Sequence, residues 1–221
     1  MEKNKINKQL ITHIVLGSLA LICFMVIAIM VLCKNRFKID GFNVAVANGR
    51  NKGLTAFFKA FTHLGSGFIT IPVVFIGFLA MFFVFKQKRL SLFSAAFFGL
   101  TCVANFIIKR IVRRIRPEHL MIIEESGFSF PSGHSMMSFA LFAILAFFAY
   151  LFIKNKPLKF SLMAICGLFV VLIGFSRIYL GVHYLSDVIA GWLITFAMFE
   201  VLVILYNSKL LAKLDKKELY P

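Results

Sequence analysis

SRIYLGVHYLSD, residues 176–187, stands between two apolar runs, roughly 158–175 and 188–206, where a membrane-spanning chain needs only a plain turn. It carries instead an arginine, a histidine and an aspartate at set spacings. Arg177 offers a permanent charge and a planar fork of donors that matches phosphate oxygens. His183 is a candidate nucleophile or proton carrier. Asp187 follows four residues later, so on a helix it shares a face with His183 and can fix the tautomer of the ring. Taken alone, Arg177 also reads as a cation snorkelling to the membrane edge, and His183 with Asp187 as a structural pair.

The flanking runs set the class of the fold. Of 221 residues 60% are hydrophobic and 15% charged, and the mean hydropathy is +0.89. Soluble domains average about 25% charged residues. Further apolar runs cover about 10–33, 68–85, 90–108 and 135–153, giving six candidate spans of near-bilayer length. The first is longer than a signal-peptide core and lacks a small-residue cleavage site, so it reads as a retained span. The expected fold is all-α, an integral membrane bundle of six transmembrane helices. A short interfacial helix is expected between the first and second spans, where Leu54, Phe57, Phe58, Phe61 and Leu64 recur at helical spacing. Core packing would explain that stripe equally well. With no repeat or low-complexity tract, residues 1–221 read as one membrane-embedded domain.

A net charge of +16 in a soluble chain would suggest nucleic acid. Here the cations lie between apolar runs, which favours anionic lipid and the bilayer surface over nucleic acid as the partner. Cys23, Cys33, Cys102 and Cys166 lie in or beside apolar runs without metal-ligand spacing and read as small hydrophobes.

Six spans put both termini and the turns KQKR (86–89) and KNKPLK (154–159) on one side. Residues 34–67, 109–134 and 176–187 share the other. Thirteen Lys and Arg fall on the termini side against twelve opposite, so the raw positive-inside count is indecisive. Setting Lys109, Arg116 and Arg177 aside as site residues favours cytoplasmic termini and an outward-facing site.

Two further stretches occupy that shared side. In KRIVRRIRP (109–117), Lys109 and Arg116 are seven residues, or two helical turns, apart; Arg113 lies near the same face and Pro117 is expected to end the helix. A basic membrane-edge cluster is the plainer reading. In FPSGH (130–134), Ser132 suits a helix N-cap and Gly133 leaves its backbone N–H accessible. That helix start would attract an anion and set His134 beside it.

The ordered set Lys109, Arg116, Pro117; Pro131, Ser132, Gly133, His134; Ser176, Arg177, His183, Asp187 resembles the type 2 phosphatidic acid phosphatase superfamily. The resemblance spans residues 109–187, and the six-span layout extends it to most of the chain. It implies that His183 attacks phosphorus and forms a phosphohistidine, with Asp187 orienting it and His134 as general acid then base. It implies that Lys109, Arg116, Ser132, Gly133 and Arg177 hold the phosphate, and that no metal or other cofactor is used. The chain offers few carboxylates to hold a metal. The implied substrate is an anionic phospholipid or a polyprenyl diphosphate: phosphatidylglycerophosphate, phosphatidic acid or undecaprenyl diphosphate. The implied location is the bacterial plasma membrane. A soluble vanadium haloperoxidase shares these motifs but does not fit the apolar spans. A non-catalytic lipid-binding protein or transporter would have no need of both histidines and the aspartate, and a transporter tends to show repeats or paired broken helices. His13, His63 and His119 fall outside the motifs and read as structural or surface residues. Glu118, Glu124 and Glu125 lie near enough to bear on the headgroup, as does the segment 34–67, with no residue-level rule for either.

Overall fold

The computed structural model describes residues 2–33 and 40–206, with side chains described for 10–33 and 41–206. The basic residues Lys3, Lys5 and Lys8 and the tail from Asn207 onward lie outside the described side chains.

Eight α-helices run in chain order among the described residues: α1 Glu2–Leu32, α2 Asp40–Asn48, α3 Lys52–Phe61, α4 Gly67–Leu79, α5 Lys88–Val112, α6 Gly133–Phe152, α7 Lys156–Tyr179 and α8 Leu185–Tyr206. A π-helical turn, Ala80–Val84, continues α4. Six segments are long and apolar enough to cross a membrane: Leu10–Leu32, Gly67–Val84, Lys88–Val112, Gly133–Phe152, Lys156–Tyr179 and Leu185–Tyr206. Helices satisfy every backbone donor and acceptor internally, which is what a chain without water around it requires.

The centre of the bundle is α5, α6 and α8. Phe97 and Phe98 of α5 pack on Ala140 and Ile144 of α6, with Met198, Phe199 and Leu202 of α8 against them. α7 lies along α6, α4 borders α5 and α6, and α1 packs chiefly on α8. A polar pair fixes the α1–α8 contact. His13 Nδ1 lies 2.5 Å from Glu200 Oε2, and a Cβ on Gly17 would stand 3.1 Å from the Glu200 Cβ, so the two helices touch closely there.

Between the first two spans there are two short helices rather than the one expected, followed by a 3-10 turn, Thr62–Gly65. α3 carries the apolar stripe. Its start is capped by Asn51, whose side-chain oxygen accepts the Leu54 N–H at 2.9 Å, a cap worth about 1 kcal/mol. Phe58 is buried, while Leu54 and Phe57 stay exposed. The stripe therefore serves both readings: one edge packs on Phe175 and Tyr179 and the other faces outward.

Two helix ends depart from expectation, and both matter to the site. α5 stops at Val112, five residues before Pro117, because Arg113 takes a left-handed conformation with φ 49°. Lys109 and Arg116 are thus not two turns apart on one helix. α7 runs through Arg177 to Tyr179, although hydropathy falls at Arg177. Arg177 is only 1% exposed; its charge meets protein partners, so it does not force the helix to end.

Candidate active site

The segments 40–66 and 113–132 and the short turn 180–184 meet at one end of the bundle. Hydrogen bonds join all three. Asn43 of α2 donates to the His183 carbonyl at 2.9 Å. Arg50 donates through Nε to the Tyr179 carbonyl at 2.7 Å. The Ile122 N–H bonds the Leu180 carbonyl at 3.1 Å. Gly181, with φ +75°, permits the closest crossing: a Cβ there would lie 1.9 Å from the Leu120 carbonyl oxygen. Only glycine allows both that backbone angle and that approach.

His183 lies in this turn, ahead of α8 rather than on it, so it and Asp187 do not share a helix face. Their meeting has another cause. Asp187 sits in the first turn of α8 and reaches back, its Oδ2 accepting the Tyr184 N–H at 2.9 Å, the acidic half of a capping box. The same Oδ2 lies 3.4 Å from His183 Nδ1, near enough for a charge interaction though not aligned as a good hydrogen bond. Asp187 Oδ1 accepts from Arg114 at 2.6 Å. Arg114 also donates to Ser186 Oγ at 2.7 Å and lies over the Tyr184 ring, 3.9 Å from its centroid.

On the other side of the ring, His183 Nε2 is 3.2 Å from Arg116 Nη1. A guanidinium only donates, so Nε2 accepts and the ring proton rests on Nδ1, facing Asp187. The nucleophilic lone pair therefore points at a cation. Burial pushes the His183 pKa down to about 4; Asp187 opposes that shift, and the charges of Arg177 and Arg116 add to it. The ring is neutral at pH 7.

Arg116 is held by the connection itself. Its Nε donates to the Gly127 carbonyl at 3.0 Å, Nη2 to Ser126 at 3.0 Å and Nη1 to Val182 at 2.8 Å. Burial lowers its pKa, and the charges of Glu125 and Asp187 oppose the change. Arg177 donates to Thr62 Oγ1 at 2.9 Å and forms a short ion pair with Glu125 Oε1. Its Nε is buried and meets no acceptor among the described residues. Lys109 donates to the Phe128 carbonyl, and Arg116, Asp187, Glu125 and Arg177 are the charges around it.

Ser132 is the N-cap of α6, as expected. Its Oγ accepts from the Ser135 N–H at 3.3 Å and from the Ser135 hydroxyl at 2.8 Å, which leaves its own O–H as a donor. Its backbone N–H bonds the Asp187 carbonyl at 3.0 Å, tying the start of α6 to the start of α8. Gly133 is buried where a Cβ would come within 3.2 Å of Asn105 Oδ1. His134, on the first turn of α6, has Arg177, His183, Arg116 and His63 as its charged or titratable neighbours.

The structure thus gathers His183, Asp187, Arg116, Arg177, Lys109 and His134 at one end. It adds Glu125, Arg114, Thr62 and Asn43, none of which the motifs contain. Arg113, placed near the Lys109 face by helical extrapolation, turns away and donates to the Arg110 carbonyl at 2.9 Å. Among the described residues no cluster of three or more His, Cys, Asp or Glu forms a metal site.

Six apolar segments of membrane-crossing length and a polar site at one end of them make a membrane-embedded bundle, and comparison with known proteins gives its family. Residues 89–210 match the PAP2 superfamily, and the chain belongs to it; the protein is a multi-pass membrane protein and a lipid phosphatase. It is similar to phosphatidylglycerophosphatase B of Bacillus subtilis (strain 168), with 33% identity over 154 residues, 68% of this chain and 74% of that protein. It is also similar to an undecaprenyl-diphosphatase of Sulfolobus acidocaldarius, 28% identical over 173 residues, 72% of this chain and 70% of that one. Among solved structures, a transmembrane PAP2-type phosphatidylglycerolphosphate phosphatase from Bacillus subtilis superposes with a TM-score of 0.71 at 28% identity, covering 91% of this chain and 96% of that one.

Proposed function

We propose that the protein removes the terminal phosphate of an anionic lipid through a phosphohistidine on His183, without a metal ion. Phosphatidylglycerophosphate, undecaprenyl diphosphate and phosphatidic acid are the substrates to compare. The observation that carries this reading is the placement of the His183 ring, with Nδ1 towards Asp187 and Nε2 beside Arg116. It supports an attack by Nε2 on a phosphorus atom whose oxygens rest on the cations.

In the first step Nε2 forms a bond to phosphorus and the bond from phosphorus to the lipid oxygen breaks. His134 supplies the proton that the leaving oxygen needs. Asp187 stabilises the positive charge gained by the ring. In the second step a water oxygen attacks phosphorus, His134 takes its proton, and the P–N bond breaks to release inorganic phosphate and restore both histidines. Lys109, Arg116 and Arg177 balance the phosphoryl charge, with the Ser132 hydroxyl and the Gly133 N–H as added donors. The two carboxylates beside the histidine and the arginines are themselves paired, Asp187 with Arg114 and Glu125 with Arg177, which supports charge balance by side chains. We place the termini on the cytoplasmic side and the site on the outer side of a bacterial plasma membrane, on the charge balance that remains when the site cations are set aside.

The test is phosphate release by detergent-purified protein in EDTA, with the three lipids as substrates. Release is expected for at least one lipid and is expected to fall by about 10⁴-fold or more in His183→Ala. Full activity in that variant, or dependence on an added divalent ion, would sink the mechanism.

A further inference from the structure

The three cations assigned to the phosphate are not idle. One four-residue segment meets them all. Glu125 gives one carboxylate oxygen to Arg177 and holds the other 3.7 Å from Arg116 Nη2. The carbonyls of Ser126 and Gly127 accept from Arg116 at 3.0 Å each. The carbonyl of Phe128 accepts from Lys109. A carboxylate and a phosphoryl group offer a guanidinium the same thing, a pair of anionic oxygens matched to its fork. Glu125 therefore makes the contact that the substrate needs.

There is a physical reason for a resident anion. A buried arginine without a counter-charge is costly, and Arg177 is almost wholly buried. Asp187 cannot supply the charge, since its oxygens serve Arg114 and the Tyr184 N–H. Glu125 can. Burial alone would raise its carboxyl pKa; the charge of Arg177 and the hydrogen bond from it, then Arg116, outweigh that and hold it below the usual range. The Glu125 side chain is also 27% exposed, and it lines a cleft of about 1090 Å³ with Arg116, Met121, Ile122 and Ile123. It has somewhere to go when displaced.

We propose that Glu125 is a resident counter-anion of the phosphate subsite, displaced by the phosphoryl group of the substrate and returning to expel the product phosphate. This rests on the reading of Arg116 and Arg177 as phosphate ligands. A phosphoryl dianion and the Glu125 carboxylate cannot share Arg177 without like charges in contact. Binding is then an exchange, and every anion has the same internal competitor. A lipid phosphate is held near the site by its acyl or prenyl chains and wins the exchange. Free phosphate has no such tether and is readily lost, so Glu125 helps make the site specific for membrane-borne phosphate.

The experiment is titration calorimetry of inorganic phosphate into the full-length protein in detergent at pH 8. Wild type, Glu125→Gln, Glu125→Asp and Arg177→Ala are compared. Removing one competing charge is expected to tighten phosphate binding by about tenfold or more in Glu125→Gln, with Glu125→Asp between it and wild type. Arg177→Ala is expected to abolish binding. An unchanged or weaker affinity in Glu125→Gln, with binding still lost in Arg177→Ala, overturns the role of Glu125 and leaves the arginine site standing. Binding that is the same in Arg177→Ala as in wild type overturns both. Should Glu125→Gln fail to fold, Glu125→Asp decides alone: tighter binding supports the exchange, and an unchanged affinity overturns it.

Discussion

The two ends of the bundle are built from different materials. At the site end, long connections are joined by side chains that bond to distant backbone: Asn43 to His183, Arg50 to Tyr179, Arg116 to Val182 and Gly127. At the opposite end, short turns leave the helices to pack through rings. Phe93 of α5, Phe147 of α6, and Phe199 and Tyr206 of α8 have centroids 5.2–6.2 Å apart for Phe93 with its three partners. Aromatic rings bury large apolar areas in stacked or edge-to-face pairs and add stability there. Buried charged hydrogen bonds admit few arrangements and are costly when broken. One end therefore holds the helices together, and the other fixes where a few atoms lie.

That division can be broken deliberately. The largest effect is expected at the site end with almost no change of shape. Asp187→Asn keeps the volume but can present an amide to His183 Nδ1, disturbing the tautomer that leaves Nε2 free. Phosphate release is expected to fall by about 10³–10⁴-fold, measured as kcat on the best lipid substrate, while the protein still elutes as the wild type does. Activity within tenfold of wild type would mean that Asp187 serves only the α8 cap and the pair with Arg114.

A smaller effect is expected from pH. The His183 pKa is pushed down to about 4, chiefly by burial. Lowering the pH through the ordinary imidazole range near 6.5 leaves a group with a depressed pKa neutral, so the nucleophile survives. Nucleophile protonation should then reduce kcat/KM only as pH falls through about 4, roughly tenfold per pH unit below it. A vesicle assay with a substrate whose phosphate ionisation is corrected for checks this. An acid limb centred near 6.5 would show that the ring is not protected by its surroundings.

The smallest effect on chemistry is expected at the ring-packed end. Phe199→Ala opens a cavity beside Phe93, Phe97 and Phe147 and should cost about 3–5 kcal/mol of stability. Thermal unfolding in detergent should move to lower temperature, while kcat per folded molecule stays as in wild type. A large loss of kcat would show that the two ends are mechanically coupled.

The six spans were legible because runs of apolar residues near bilayer length have one common solution. The motif residues were legible through their order and spacing. What the sequence hid was phase and long-range pairing. Helical counting from Lys109 points to Arg113, but the left-handed Arg113 ends the helix and resets the phase, so Arg114 is the one that reaches Asp187. The apolar run that closes near 175 does not show that α7 continues through Arg177, because sequence alone does not reveal that Glu125 and Thr62 wait for it. Asn43 belongs to the 34–67 segment, where no residue-level rule picks it out, and its partner is 140 residues away. Glu125 stands in no spacing rule; only the path of the 113–132 connection brings it to the arginines. The one local signal that could have been read further is Gly181, since a glycine two residues before His183 marks a turn with unusual backbone.

The His13–Glu200 pair has a consequence for how the protein is made. α1 takes α8 as its main neighbour, and the two polar groups that join them are 187 residues apart. During synthesis α1 must wait in the bilayer until five later spans have been inserted. Glu200 then arrives as an acidic group in an apolar span, and α1 is the helix that receives it. A chain that stalls before α8 leaves α1 without the surface it is shaped to meet.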